Sequence, residues 1–286
     1  MDISDFKNMN VLIVGLGLMG SAFADAMRPL APKRIFGVDI DENILQVAEE
    51  TGLIDEGVTD ASRIIDQCDL IIVCLYLNDA ITFIRENMDL FKAGCIITDV
   101  VGVKRKIIDA LLQFLRKDID YIPGHPMAGK EKQGVFSPDR SIFLGRNYIL
   151  TPLPCNKREN LEFLKQIIYA IGFKYIVTTD PQEHDQKIAF TSQLCHIIAA
   201  SMVDINNDES VVHYEGGSYR DMTRIAMVNS KMWGELFFAN EDMLIEEIER
   251  LQKSIQAFKD FIIKEDPQII NKLEEIKDKR ERLNNL

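Results

Sequence analysis

The sequence predicts an α/β chain: a doubly wound, mostly parallel sheet over residues 1–180, followed by an all-helical part over 181–286. Three observations carry this. Apolar strand-like runs alternate with amphipathic helical patterns up to residue 180, as in a sheet covered by helices on both faces. The run Asp69-Leu-Ile-Ile-Val-Cys-Leu75 is apolar almost throughout, as a strand buried on both sides must be. At Asp180-Pro181-Gln182-Glu183 the pattern changes to a helix start, with a capping acid, a proline in the first turn and a glutamate soon after.

The elements follow in order. Strand-like runs lie at 10–15, 34–39, 69–75, 95–100, 119–124, 147–151 and 174–179. Helical patterns fill 20–28, 42–51, 79–88, 104–116 and 158–170. The Pro152-Leu153-Pro154 break makes the later strands candidates for antiparallel additions. A long helix is expected from Asp180 to about Asn206. Further on, Leu244, Ile248, Leu251, Ile255, Phe258 and Ile262 repeat at spacings of four and three, an apolar stripe on one helix face. Asp266-Pro267 caps a last helix.

The first strand runs straight into Gly15-Leu16-Gly17-Leu18-Met19-Gly20. Gly15 allows a tight turn, Gly17 lets the backbone approach a pyrophosphate, and Gly20 lets the next helix pack closely on the strand. Phosphates then sit on free N–H groups at the positive end of that helix. A second strand ends in Asp39, 19 residues after Gly20. An acid there accepts hydrogen bonds from both ribose hydroxyls and repels a 2′-phosphate. No Arg or Lys follows within Ile40-Asp41-Glu42-Asn43, which favours NAD over NADP. The first half is therefore read as a Rossmann-type NAD-binding domain. Its cofactor set is Gly15, Leu16, Gly17, Leu18, Met19, Gly20, Asp39 and, at the end of the 95–100 strand, Val100.

Composition bounds the partners. The chain is 47% hydrophobic and 27% charged, with a formal charge of −12. Such an acidic balance argues against nucleic acid or an anionic membrane as the main partner. The five cysteines form no CxxC pair, which suggests reduced thiols in a cytoplasmic protein. The four histidines lack metal-ligand spacing, so no metal site is expected. The apolar stretch 11–27 has no basic flank before it and is short for a membrane span.

The candidate chemistry lies in Tyr121-Ile-Pro-Gly-His125-Pro-Met-Ala-Gly-Lys-Glu131-Lys-Gln-Gly134, read as a shaped loop after a strand. Ligands bind at the carboxyl edge of open α/β sheets, and a histidine there can take a hydroxyl proton while hydride leaves the same carbon. An alternative reading has His125 only capping a turn.

Three motifs then give a resemblance. They are Gly124-His125-Pro126-Met127-Ala128-Gly129; Glu183-His184-Asp185 with Thr191-Ser192-x-Leu194-x-His196; and Gly217-x-x-Arg220-Asp221-x-Thr223-Arg224. Together, and in that order, they resemble the prephenate dehydrogenase family, with its arogenate dehydrogenase relatives. The resemblance implies that NAD takes hydride from the ring carbon bearing the hydroxyl of prephenate. Carbon dioxide is lost, and 4-hydroxyphenylpyruvate results. It implies that His125 removes the hydroxyl proton, that His196 is the second catalytic histidine and lines the substrate pocket, and that Arg224 binds a substrate carboxylate. It further implies that Gly217, Arg220, Asp221 and Glu131 belong to the substrate site, and that Trp233 closes the pocket, often from the neighbouring subunit of a homodimer.

The chain departs from the family at two places. Where the family usually carries Asp-x-Gly-Ser-x-Lys, with a serine that bonds the catalytic histidine, this chain reads Asp99-Val-Val-Gly102-Val-Lys104. Gln193 and Cys195 also replace the usual His and Pro before His196. Three other readings stand beside prephenate oxidation. One is arogenate oxidation. Another is a 3-hydroxyacid dehydrogenase using Lys187, and the last is an NAD-binding sensor without turnover, prompted by Gly102.

Overall fold

A computed structural model describes residues 2–129 and 138–284. Two compact units form, Met1–Asn240 and Glu241–Leu286.

The first unit is built on six parallel strands: β1 (Asn10–Val14), β2 (Arg34–Val38), β3 (Glu56–Val58), β4 (Leu70–Val73), β5 (Ile96–Asp99) and β6 (Asp120–Tyr121). Their order is β3-β2-β1-β4-β5-β6, all parallel. The chain winds outward from β1 to β3, then returns to the other side of β1, so the switch point falls between β1 and β4. That is where a doubly wound sheet opens a ligand crevice.

The two-residue period of β1 explains both faces. Val11 and Ile13 enter one core cluster with Phe23, Met27, Phe143 and Phe163. Leu12 and Val14 enter the other, with Ile71, Val73, Ile81 and Leu111. Helices α1 (Leu18–Met27), α2 (Glu42–Glu50) and α5 (Arg158–Ala170) supply residues to the first cluster. Helices α3 (Leu77–Glu86) and α4 (Arg105–Leu111) supply the second.

The strand β3 is not among the expected runs, and two further details differ from the sequence reading. The stretch expected as a loop after residue 121 begins with a further strand, β7 (Gly124–Pro126). It pairs antiparallel with β8 (Asn147–Leu150), which in turn pairs parallel with β9 (Tyr175–Thr178). The 181–206 helix is not continuous either. It forms α6 (Pro181–Ile188), a π-helical stretch Ala189–Gln193, and α7 (Leu194–Asp204). Asp180 caps α6, as expected, by accepting from the Glu183 N–H at 2.9 Å. The unit closes with α8 (Gly217–Thr223) and α9 (Ser230–Ala239).

The second unit is a pair of helices, α10 (Glu241–Ile263) and α11 (Gln268–Asn284). Glu265 turns the chain at φ 51°, and Asp266 accepts from the Gln268 N–H at 2.9 Å. The apolar stripe lies on α10, and its later members Ile255 and Ile262 are exposed. Among the described residues no helix is long and apolar enough to cross a membrane.

Candidate active site

The cofactor edge is built at the carboxyl end of β1. Gly15 takes φ +84° and donates its N–H to the Val38 carbonyl at 2.7 Å. A Cβ at Gly20 would collide with the Gly15 carbonyl oxygen, so only glycine fits there. At Gly17 a Cβ would meet nothing within 4 Å, which leaves open space over the start of α1. That helix start has no side-chain cap and no acid in its first turn. Its N–H groups and dipole therefore suit an anionic pyrophosphate.

Asp39 stands half-buried at the end of β2. Its carboxylate accepts from the Leu16 N–H at 2.7 Å and from the Asp41 N–H at 3.0 Å. The acid is thus tied to the glycine turn itself. The Leu16 side chain is fully buried in the core, so this residue faces the crevice with backbone alone. Leu18, Met19 and Val100 are half-buried around the same edge.

The second part of the site centres on His125, half-buried in β7. Its Nδ1 lies 2.9 Å from His184 Nε2. His184 Nδ1 lies 2.7 Å from Asp185 Oδ1. Asp185 is fully buried and also accepts from the backbone N–H groups of Lys104 at 2.7 Å and Arg105 at 3.0 Å. The Arg105 guanidinium reaches Asp185 at 3.3 Å and the Asn240 side-chain oxygen at 2.8 Å. Beneath them Lys104, fully buried, pairs with Asp99 at 2.6 Å and donates to the Gly124 carbonyl. The Tyr121 hydroxyl donates to the other Asp99 oxygen at 2.7 Å.

This network sets the charges. Burial, then His184, then the Lys104 cation push the His125 pKa well below the usual histidine range. Burial lowers His184 as well, although Asp185 opposes it. Burial would raise Asp185, but the hydrogen bonds from His184, Arg105 and Lys104 prevail and hold it down as a carboxylate. His125 is therefore a neutral ring near pH 7, as a base must be.

His125 Nε2 faces Gly102. A Cβ at Gly102 would stand 3.8 Å from that nitrogen and 3.4 Å from Leu236 Cδ1. A side chain at this position would therefore stand beside Nε2.

The helical residues of the unit cover this pocket. Leu236 on α9 packs at Gly102, and Trp233, one turn earlier, meets His196 in a tilted ring contact with centroids 3.8 Å apart. His196 lies on α7, and its Nδ1 is 2.9 Å from the Ile225 carbonyl, next to Arg224. Trp233 thus meets His196 within one chain. Arg224 and Asp221 are exposed, as is Gly217 at the start of α8. Arg220 pairs with Glu215 at 2.9 Å rather than with Asp221. Lys187, the candidate of the hydroxyacid reading, is exposed on α6. Glu131 lies outside the described residues.

The comparisons with known proteins give the family. Residues 23–177 match the family model "Prephenate dehydrogenase, nucleotide-binding domain", and residues 180–276 match "Prephenate dehydrogenase, dimerization domain". The chain belongs to the prephenate dehydrogenase family. A relative, prephenate dehydrogenase of Lactococcus lactis, is 31% identical over 91% of this chain and 73% of its own length. The Bacillus subtilis prephenate dehydrogenase is 29% identical over 90% of this chain and 71% of its own. The solved prephenate dehydrogenase of A. aeolicus, in complex with hydroxyphenyl propionate and NAD+, superposes with a TM-score of 0.88 at 30% identity. It covers 96% of this chain and 98% of its own.

Sequence reasoning left several residues of the His125 network without a role: His184, Asp185, Lys104, Arg105 and Asn240. A signal was present in the adjacent His184-Asp185 at a capped helix start, and in Lys104 five residues after Asp99. Gln193, noted only as a departure, is buried and holds the π-helical stretch. It donates to the Leu236 carbonyl at 2.9 Å and accepts from Asn240 at 2.8 Å.

Proposed function

We propose that this chain catalyses the NAD-dependent oxidative decarboxylation of prephenate to 4-hydroxyphenylpyruvate. The observation that carries it is His125, held below the usual histidine range with its Nε2 toward Gly102, in the same unit as a dinucleotide-type glycine turn. The Gly15–Gly20 turn, the N-terminus of α1 and Asp39 would hold NAD, which when bound would supply the hydride acceptor for the hydroxyl-bearing ring carbon.

The chain's own residues do the rest. His125 Nε2 accepts the proton of the ring hydroxyl as that carbon becomes a carbonyl. Loss of carbon dioxide from the opposite ring carbon sends an electron pair to the oxygen, and His125 returns the proton to it as the phenol forms. Arg224 pairs with a substrate carboxylate, where a guanidinium binds bidentately. His196 and Trp233 form a wall of the ring pocket, Gly217, Arg220 and Asp221 its polar rim, and Glu131 is also assigned to substrate binding. Leu18, Met19, Gly20 and Val100 line the cofactor edge.

The same reading keeps residue 180 as the division between a nucleotide half and a substrate half. It also makes the working form a homodimer. The match of 180–276 to a dimerization domain supports that, as do the exposed apolar residues Ile255, Ile262 and Ile263 on α10. A cytoplasmic site of action goes with the five free cysteines.

The test is an assay of purified protein with prephenate and with arogenate, each with NAD and with NADP. We expect NADH, carbon dioxide and 4-hydroxyphenylpyruvate from prephenate with NAD. Turnover of arogenate alone would move the substrate assignment. No turnover in any of the four arms would overturn the enzymatic reading in favour of a sensor.

A further inference from the structure

We propose that His184 and Asp185 are positioning residues that fix the tautomer of His125, so that its Nε2 always carries the lone pair toward substrate. The inference rests on the reading above that His125 is the base.

Asp185 Oδ1 and Oδ2 both receive backbone N–H groups, from Lys104 and Arg105, and Oδ2 also receives the Arg105 guanidinium. A carboxylate so surrounded by donors is an acceptor only. The contact at 2.7 Å from its Oδ1 to His184 Nδ1 therefore has the hydrogen on His184 Nδ1. A neutral His184 then has a bare Nε2. That atom lies 2.9 Å from His125 Nδ1, so it accepts, and the hydrogen of His125 is on Nδ1. One tautomer remains for His125: Nδ1–H, with Nε2 bare and directed at Gly102.

The surroundings leave little freedom to depart from this. The charged and titratable groups packed around the two rings are Asp185, Arg105, Lys104, Asp99 and Tyr121. Asp99 is already engaged by Lys104 and Tyr121, and Asp185 by Arg105. Asn240 closes the shell by accepting from Arg105 and donating to the Asp185 carbonyl. When His125 gains the substrate proton on Nε2, it keeps its Nδ1–H on His184. The positive charge is then felt by Asp185 through the second ring. No proton needs to leave the relay, and the same proton goes back to the phenol oxygen. This arrangement also offers an account of Gly102. The ring is held from its Nδ1 side, so orientation does not depend on a serine at its Nε2 side.

The decisive experiment reads the rings directly. Nitrogen NMR of the 15N-histidine-labelled wild-type protein at pH 7, without substrate, reports the tautomer of each of the four histidines. Single His→Gln variants supply the assignments. We expect Nδ1–H with a bare Nε2 for His125, and the same tautomer for His184. An Nε2–H form of His125 overturns the proposal.

Two variants give a kinetic reading. In His184→Phe the acceptor is gone, and kcat should fall by about 10²–10⁴-fold, as for a histidine left in the wrong tautomer. KM for prephenate and the affinity for NAD should stay within a few-fold. In His184→Gln the amide can still donate to Asp185 and accept from His125, and at least tenfold of the lost kcat should return. A folded His184→Phe with wild-type kcat overturns the proposal, and if that variant does not fold, the wild-type spectrum decides alone. Failure of the parent reading looks different. It gives no turnover of prephenate by the wild type, whatever the tautomer of His125.

Discussion

The cofactor edge sits on the six-stranded sheet and His125 on the separate three-stranded sheet β7-β8-β9, and the two regions are specified in opposite ways. The edge comes from six consecutive residues, Gly15 to Gly20, plus Asp39 on the adjoining strand. The pocket comes from β5, the start of α4, β7, α6 and α9, with contacts such as Lys104 to Asp185 that span 81 positions. The edge needs backbone shape and open space. The pocket needs buried charges that satisfy one another. A local site of the first kind tolerates loss of function without loss of fold, whereas a site of the second kind couples the two.

The largest effect should come from breaking that coupling. Lys104→Met leaves the Asp99 carboxylate buried without its cation, with only the Tyr121 hydroxyl and the Val101 N–H as donors. Stability should drop by about 3–5 kcal/mol, as when one partner of a buried pair is removed. Chemical denaturation checks this, and a loss under ~1 kcal/mol would mean that the pair is not part of the core. Gly17→Val is the counterpart at the edge. Its side chain enters open space, so the midpoint of unfolding should match the wild type. The same side chain fills the pyrophosphate path, so NAD affinity should fall about 10²-fold, or ~2.7 kcal/mol. Calorimetric titration with NAD reads that directly, and unchanged affinity would place the cofactor elsewhere.

A smaller effect separates the two regions by pH. His125 and His184 both titrate lower when folded than the usual value of about 6.5. Below about pH 6.5 the unfolded chain takes up protons that the folded chain refuses, so stability must fall as pH falls. The slope is at most about 1.4 kcal/mol per pH unit for each ring. Thermal unfolding between pH 7 and pH 5 should show this, and His125→Asn should flatten its share. The smallest effect is expected at Gly102. Gly102→Ser meets Leu236 at ordinary contact distance, so stability should change by under ~0.5 kcal/mol. Its hydroxyl can donate to His125 Nε2 in the free protein, and kcat should move by no more than about tenfold, ~1.4 kcal/mol. A larger gain would mean that the ring is poorly held without serine.

The same contrast explains what the sequence made legible. The glycine turn, Asp39 and the helix at 158–170 are local patterns, and each appears in the structure where it was read. The strand β3 escaped notice because Glu56-Gly57-Val58 is three residues long and has only one buried side chain. The β7 strand was hidden by its own prolines and glycines, which read as a loop although its partner β8 was visible. The break at Ala189–Gln193 depends on Gln193 bonding to α9 and Asn240, contacts 43 and 47 positions away. No pattern within one helix announces such a bond. For the site, His125 was found by position and motif, while its supports were not, because burial of Lys104 and Asp185 is a tertiary fact.

One folded unit holds two separable halves, a cofactor edge and a base that acts on the substrate. His125→Asn tests it most directly when NAD affinity and kcat with prephenate are measured on the same preparation. The account predicts NAD affinity within about twofold of wild type and kcat lower by about 10²–10⁴-fold. Wild-type kcat in a folded His125→Asn variant would contradict it.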